Sequence, residues 1–389
     1  MKLAFLKILD KYAGLAICLA LTFINKLFRF RETEFRAENV KKTLAIKFWG
    51  LGSILLLSPT VKEFRAVYPR SRLVFLTLSR NKEISEALNL FDEVLTINID
   101  KGWLMFIRTF LSILGCFWRE RFDLVIDFEF FTRFSSIITF LTFARMKIGF
   151  HAWETWRGDI HNLKVPFNRY WHVMDNFYNL GVHMGLDAGK KDRLRISKPF
   201  ISPKDKAAVS KLLAAAGVTN GYISVHINAS DLSMERRWPY GSFVRVINKF
   251  LAEYLMSVVF IGAGSDRSLV RRMVAEVADP RAVDLAGKLS ITQLAFLFEN
   301  SKLVMANDSG PLHLALAMDT PTISFFGPET PMMYGPRGEK HAVFFKNIEC
   351  SPCINVHDRK SVRCYWARPK CMEAISAEEV FDIMKKKLA

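Results

Sequence analysis

Short, wholly apolar runs alternate with longer stretches of helical period along most of the chain. Leu44, Ala45, Ile46 and Phe48 make Thr43–Trp49 a buried first strand, followed by the glycine turn Gly50-Leu51-Gly52-Ser53 and a helix over Ile54–Val67. Arg72–Thr77, Asp92–Ile97, Asp123–Phe128 and Lys147–Phe150 read as further strands, with an apolar helix over Phe134–Phe143. After a linker at Ser197–Asp205 the plan starts again. Helices are expected at Lys206–Ala216, Tyr240–Tyr254, Arg267–Val277 and Ile291–Glu299. Strands are expected at Tyr222–Ile227, Ser257–Ile261, Val283–Ala286 and Lys302–Ala306. Such alternation predicts an α/β fold of parallel sheets with helices on both faces. At 389 residues two domains are expected, at 43–196 and 197–389.

Three stretches depart from this rhythm. At the N-terminus, 1–42, basic residues (Lys2, Lys7, Lys11, then Lys26, Arg29, Arg31) bracket an uncharged run, Tyr12–Ile24, and Glu32–Lys42 reads as a polar linker. The uncharged run is short for a membrane span, and no convincing small-residue cleavage site follows it, so a membrane-associating interfacial helix is the better physical reading, with a true span and a helix packed on the protein as the alternatives. Trp103–Phe117 is apolar nearly all round, with Arg108 its one charge, which suits a core helix or a second membrane-surface element. Residues 151–180 are rich in His, Trp, Arg and Asn (His151, Trp153, Trp156, Arg157, His161, Trp171, His172) without clear periodicity, which suits a cleft wall better than a core.

Charge sharpens the picture. Lys and Arg number 55 against 38 Asp and Glu, a formal net charge of +17. A basic balance implies anionic partners. Because the basic residues are scattered among apolar segments, with no long tract, an anionic membrane surface and phosphate ligands fit better than nucleic acid. Four of the six cysteines cluster as Cys350-x2-Cys353-x10-Cys364-x6-Cys371. Cys-x2-Cys is a good zinc half-site, x6 is unusual for the other half, and His357 is an alternative ligand, so a structural zinc is one expectation and free thiols or paired cysteines the other.

Ligands of open α/β sheets bind beyond the carboxyl ends of the strands. Ser53, Glu129, Asn228, Gly264 and Asp308 all fall just after expected strands. The most informative stretch is Asn307-Asp308-Ser309-Gly310-Pro311-Leu312-His313, read as strand end, tight turn and helix start. Asp308 or Ser309 can cap that helix, Pro311 suits its first turn, and its N–H groups attract phosphate.

Asn307–His313, Phe326-Gly327-Pro328 and Tyr334-Gly335-Pro336 together resemble glycosyltransferase family 9, the ADP-heptose:lipopolysaccharide heptosyltransferases and their relatives. Arg236-Arg237-Trp238-Pro239, Gly262–Asp266 and Ala286-Gly287-Lys288 fall in the same family order. The resemblance, from about residue 44 to 380, implies a GT-B architecture: two Rossmann-like domains with parallel sheets facing a central cleft, acceptor on the first and nucleotide sugar on the second. In that architecture the last helix, expected at Glu378–Lys386, often crosses back to the first domain. The resemblance implies inverting transfer of a heptose-like sugar from an ADP-heptose-like nucleotide-diphosphate donor to a lipopolysaccharide or lipid-linked glycan. The implied setting is the cytoplasmic face of a bacterial inner membrane. No Asp-x-Asp motif occurs, so no cofactor is expected for catalysis.

On this reading Ser309, Gly310 and Arg236 take up the diphosphate charge, Asp308 holds sugar hydroxyls, Asp266 the ribose and Asn228 the phosphate neighbourhood. Gly287 and His313 complete the donor side, and Gly52 and Arg133 the acceptor side. One position departs from the family pattern. Characterised heptosyltransferases carry Asp, as the base, where this chain has Ser53. A serine hydroxyl is no general base near neutral pH, so Glu129, flanked by Phe128, Phe130 and Phe131, is the candidate. Partial desolvation would raise its pKa toward a useful range, and a structural pair with Arg133 is the competing role. The alternative function is a non-catalytic, membrane-associated glycan- or nucleotide-sugar-binding homologue that has lost its base.

Overall fold

The computed structural model describes residues 3–27, 40–152, 155–229, 233–354 and 364–389. Lys2, Arg29, Arg31, most of the 32–42 linker, Trp153 and His357 lie outside them. The chain divides into two compact units, Met1–Ser197 and Lys198–Ala389.

In the first unit the elements run α1 (Leu3–Leu27), β1 (Lys42–Ile46), α2 (Leu51–Val67), β2 (Arg72–Leu78), α3 (Lys82–Ala87) and β3 (Glu93–Ile97). They continue with α4 (Trp103–Glu120), β4 (Leu124–Asp127), α5 (Arg133–Leu141), β5 (Met146–His151), β6 (Leu163–Pro166) and α6 (Val173–Val182). The second unit has α7 (Pro203–Ala215), β7 (Tyr222–His226), α8 (Tyr240–Glu253), β8 (Ser257–Phe260), α9 (Arg267–Val277), β9 (Ala282–Asp284) and α10 (Ile291–Glu299). It ends with β10 (Val304–Asn307), α11 (Gly310–Ala317), β11 (Thr322–Phe326), α12 (Pro331–Tyr334), β12 (His341–Phe345), α13 (Lys370–Glu373) and α14 (Ala377–Leu388).

Each unit holds one six-stranded sheet, ordered β3-β2-β1-β4-β5-β6 and β12-β11-β10-β7-β8-β9. Every paired strand is parallel. Counted from each unit's first strand, the two orders are the same doubly wound order. Strand order therefore reverses between β1 and β4 in the first unit and between β7 and β10 in the second, and such switch points are where these sheets take ligands.

The central strands are apolar because both their faces are covered. Leu44, Ile46, Val74, Leu76 and Val125 form a core with Phe117 and Ile138 from the helices. In the second unit Trp238 stacks on Phe325 at 4.3 Å, and its indole N–H donates to the Ile375 carbonyl. The last helix, α14, buries Val380, Phe381 and Met384 in this same core, packed on α8.

Residues 151–180 are not mainly a cleft wall. β6 closes one edge of the first sheet, and α6 buries Met174, Phe177, Tyr178 and Leu180. Arg157 and His161 are buried on the fully buried Asp127: Arg157 Nη2 and His161 Nε2 each lie 3.2 Å from its Oδ2, and Ser135 Oγ donates to the same oxygen. Burial pushes the Asp127 carboxyl up. Arg157, His161 and the Glu129 N–H more than reverse that and hold it below the ordinary carboxylate value.

The N-terminal helix is built inside out. Asp10, Gly14, Cys18, Thr22 and Asn25 recur at helical spacing on the face turned to the unit. Asp10 Oδ1 accepts from Thr132 Oγ1 and from the Arg133 and Phe134 amides, so it caps α5 from a distant part of the chain. Gly14 lies against the Arg133 side chain, Cys18 is fully buried, and Thr22 and Asn25 bond to the Asp159 backbone. Phe5, Ile8, Tyr12, Leu19, Phe23 and Leu27 are exposed on the outside. Phe5–Leu27 is long and apolar enough to cross a membrane. Because Asp10 meets both amides that open α5, Asp10→Ala should cost about 1–2 kcal/mol. Chemical denaturation of the full chain reads it.

Candidate active site

In the first unit the ends of β1 and β4 are joined by Glu129. Its Oε1 accepts from the Phe48 and Trp49 amides at 2.7 and 2.8 Å, and its Oε2 lies 2.9 Å from Lys47 Nζ. Lys47 and Glu129 are both fully buried, with the Phe130 ring 5.1 Å from the ammonium. Burial pushes the Lys47 amine down, and Glu129 partly opposes it. The expected base is therefore not a half-desolvated carboxylate at a cleft. It is committed to a structural pair, with Lys47 as its ion-pair partner in the place considered for Arg133. Arg133, expected to meet substrate, is buried at the start of α5 beneath Gly14 of α1.

What Glu129 holds is the entry to α2. Gly50, at φ +87°, takes a backbone shape that favours glycine, and the Ile54 amide donates to its carbonyl. Gly50, the N-cap residue of α2, has no side chain with which to cap the helix. Gly52 is buried and Ser53 half-buried in the first turn.

In the second unit the switch point lies between the ends of β7 and β10. Asn307 organises it: Oδ1 accepts from the Trp238 amide at 2.8 Å, and Nδ2 donates to the Ile227 and Asn228 carbonyls. Asp308 and Arg236 are almost buried and paired. Arg236 Nη1 donates to Asp308 Oδ2 at 2.8 Å and to its backbone carbonyl at 3.0 Å. Neither Asp308 nor Ser309 caps α11, contrary to the expected local role. Ser309 Oγ donates to the Asn307 carbonyl and lies 3.2 Å from His226 Nδ1. An eight-residue helix thus begins at Gly310 with no capping hydrogen bond from its N-cap residue, Ser309, and Arg236 stands two residues before it, on Asp308.

Asn228 and Asp266 are brought together, but onto each other. Asn228 Nδ2 donates to Asp266 Oδ1, and the Ala263 amide donates to Asp266 Oδ2 at 2.8 Å. The pair ties the end of β7 to the turn after β8, where Asp266, expected at the ribose, already accepts two hydrogen bonds. Gly287, at φ +66°, passes so close to Gly264 and Arg267 that a Cβ there would lie 2.9 Å from the Gly264 Cα. Arg267 Nη2 then donates to the Gly287 carbonyl. His313 is buried on α11, its ring 6.3 Å from that of Tyr334.

Glycosyltransferase family 9 (heptosyltransferase) matches residues 117–363, more than half of the chain and the whole β10–α11 region. The chain belongs to glycosyltransferase family 9. It is a glycosyltransferase with the GT-B fold, its two Rossmann-like units corresponding to the two parallel sheets. Its sequence is 22% identical over 309 residues to the lipopolysaccharide core heptosyltransferase OpsX of Haemophilus influenzae, covering 77% of this chain and 82% of that protein. A family 9 glycosyl transferase from Veillonella parvula superposes with a TM-score of 0.74 at 20% identity, covering 92% of this chain and 99% of that one. The ADP-heptose lps heptosyltransferase II of E. coli gives a TM-score of 0.70 at 16% identity, covering 90% and 98%.

His357, the alternative zinc ligand, lies outside the described residues of this family 9 chain. Among the described residues no group of three or more His, Cys, Asp and Glu side chains is placed to hold a metal ion. Cys371 is buried behind Gly327, its thiol pushed up to about 11 chiefly by burial, whereas Cys350 and Cys353 are exposed.

Two site residues were absent from the sequence reading: Lys47 and His226. An apolar strand flanked by a Gly-x-Gly turn hides Lys47, and His226 sits within a strand whose other residues are all core. Burial pushes the His226 imidazole down to about 4. The folded state then binds fewer protons than the unfolded state between the ordinary value near 6.5 and about 4, so stability is full above that window and falls as pH drops through it. His226→Asn should make this limb shallower in thermal melts taken across the window, the remainder belonging to His341, which burial also pushes down to about 4.

Proposed function

We propose that this glycosyltransferase moves a heptose-like sugar from a nucleotide-diphosphate donor, ADP-heptose or a close analogue, onto a lipopolysaccharide or lipid-linked glycan acceptor. The observation that carries the reading is the open start of α11 beside the Arg236–Asp308 pair. The Gly310 amide and the helix dipole offer fixed partial positive charge, and Arg236 offers a full one. Together they match a leaving diphosphate without a divalent ion, which supports metal-independent transfer. The relatives named for lipopolysaccharide heptosyl transfer, and the E. coli protein named for ADP-heptose, support the same donor and acceptor classes.

In this reading the second unit grips the donor and the open start of α2, with Gly52 and Ser53, receives the acceptor. Glu129 serves as a positioning residue: it fixes Phe48 and Trp49, and through them the Gly50 turn. Transfer inverts the anomeric centre. The purified protein, given ADP-heptose and a heptose-deficient lipopolysaccharide in the presence of a chelator, yields a product one heptose heavier. Failure with that donor and a panel of other nucleotide sugars would overturn the reading, and binding without transfer would favour a non-catalytic homologue.

Two helices support a place on the cytoplasmic face of the membrane. α1 turns its apolar side outward, and α4 exposes Trp103, Leu104, Ile107, Leu111 and Trp118. The Phe5 and Trp103 rings meet edge to face at 5.9 Å, so the two surfaces adjoin. An exposed apolar face next to basic side chains fits the interface of an anionic bilayer. The pair Leu104→Glu and Leu111→Glu should shift the protein from membrane to soluble fraction, read by sedimentation with anionic vesicles.

A further inference from the structure

Beneath these two helices lies a cavity of about 310 Å³. Leu9 and Ala13 of α1 wall one side, the strand-end residues Phe48 and Trp49 the floor, and Phe106 and Phe134 the other side. Its two polar lining side chains, Asp10 and Thr132, are hydrogen-bonded to each other at 3.0 Å. The space therefore offers a ligand almost nothing but hydrocarbon, and an apolar guest that displaces water from it gains the hydrophobic free energy. Its volume lies at the small end of the range for ligand sites.

Two further observations identify the guest. Leu9, Ile17 and Trp103 line the cavity and are each at least 40% exposed, so it opens on the same surface as the outward faces of α1 and α4. Lys7 and Lys11 on α1, Lys101 just before α4 and Arg108 within it make both helices at the cavity mouth carriers of basic residues. That suits a long apolar chain attached to an anionic head. The floor residues, Phe48 and Trp49, are those whose amides Glu129 holds and which lead into Gly50–Ser53. A lipid seated here lies against the backbone that presents the acceptor end of the first unit.

We propose that this cavity binds one acyl chain of the lipid-linked acceptor. The proposal rests on the acceptor class given above and adds a binding site for its lipid part. The full-length protein is titrated with cis-parinaric acid, whose fluorescence rises in an apolar site. Saturable binding is expected, with displacement by intact acceptor lipopolysaccharide and none by the same glycan after removal of its acyl chains. Ala13→Phe, which fills the cavity, should weaken the probe by about ten-fold, the effect of losing roughly two buried methylenes. The displacement experiment needs no variant, so a folding defect in Ala13→Phe leaves the test intact.

Absence of saturable probe binding overturns the proposal. Probe displaced by phosphatidylglycerol vesicles but not by the acylated acceptor assigns the cavity to bulk lipid, and overturns it equally. Probe binding with no sugar transfer to any acceptor counts against the acceptor reading, and with it this occupant. Sugar transfer with no probe binding counts against the cavity alone.

Discussion

Arg236→Ala should lower kcat/KM for the donor by about 10²–10³-fold, the usual cost of removing one preorganised donor to developing negative charge. The substitution does two things at once. It removes the cation beside the open start of α11, and it strips Asp308 of a partner at 2.8 Å while that carboxylate stays buried. Arg236→Lys should recover little. Both bonds to Asp308 leave from one nitrogen, Nη1, so any shortfall in Arg236→Lys measures the shorter reach of an ammonium and the loss of the remaining guanidinium N–H groups. Asp308→Asn separates the two effects: it keeps an acceptor for Arg236 but removes the charge, so diphosphate affinity should survive better than turnover. Donor-saturation kinetics with ADP-heptose, together with direct ADP binding, distinguish these cases.

Lys47→Met should destabilise the first unit by about 3–5 kcal/mol, because it leaves a buried carboxylate without its countercharge. Removing the carboxylate as well should restore much of that loss, provided the replacement keeps its hydrogen bonds. Glu129→Gln does so, since its amide oxygen can still accept from the Phe48 and Trp49 amides. The double variant should therefore sit within about 2 kcal/mol of the parent. Glu129→Leu in its place should do worse, for it orphans both amides. Denaturant midpoints of the full chain measure the series. If Lys47→Met alone were neutral, the pair would not be the joint between β1 and β4 described here.

The sheets were legible because buried parallel strands are written as short apolar runs, and nearly every central strand begins or ends within two residues of its expected place. The edges were not. β6 carries only Leu163 and Val165 as apolar strand residues, with Lys164 exposed between them, and β12 is half-buried. The 151–180 segment read as a cleft wall because its polar and aromatic residues follow no clear period. Arg157 and His161 are core residues only because Asp127, from a strand far back in the sequence, neutralises them. The same limit governs the site. The turn after β10 could be read as an anion-binding helix start, whereas the mutual bonding of Asn228 and Asp266, and of Lys47 and Glu129, depends on which strand ends adjoin. In α1 the pattern was visible but its sense was not: the polar stripe faces the protein, and the apolar side faces out.

The start of α11 and Arg236 together should grip a diphosphate without a metal. Calorimetric titration of ADP into the purified full chain, with a chelator present, tests this most directly. One saturable site is predicted, with affinity unchanged when magnesium replaces the chelator and at least about ten-fold weaker in Arg236→Ala. Binding that appears only with the divalent ion, or that Arg236→Ala leaves untouched, would contradict it.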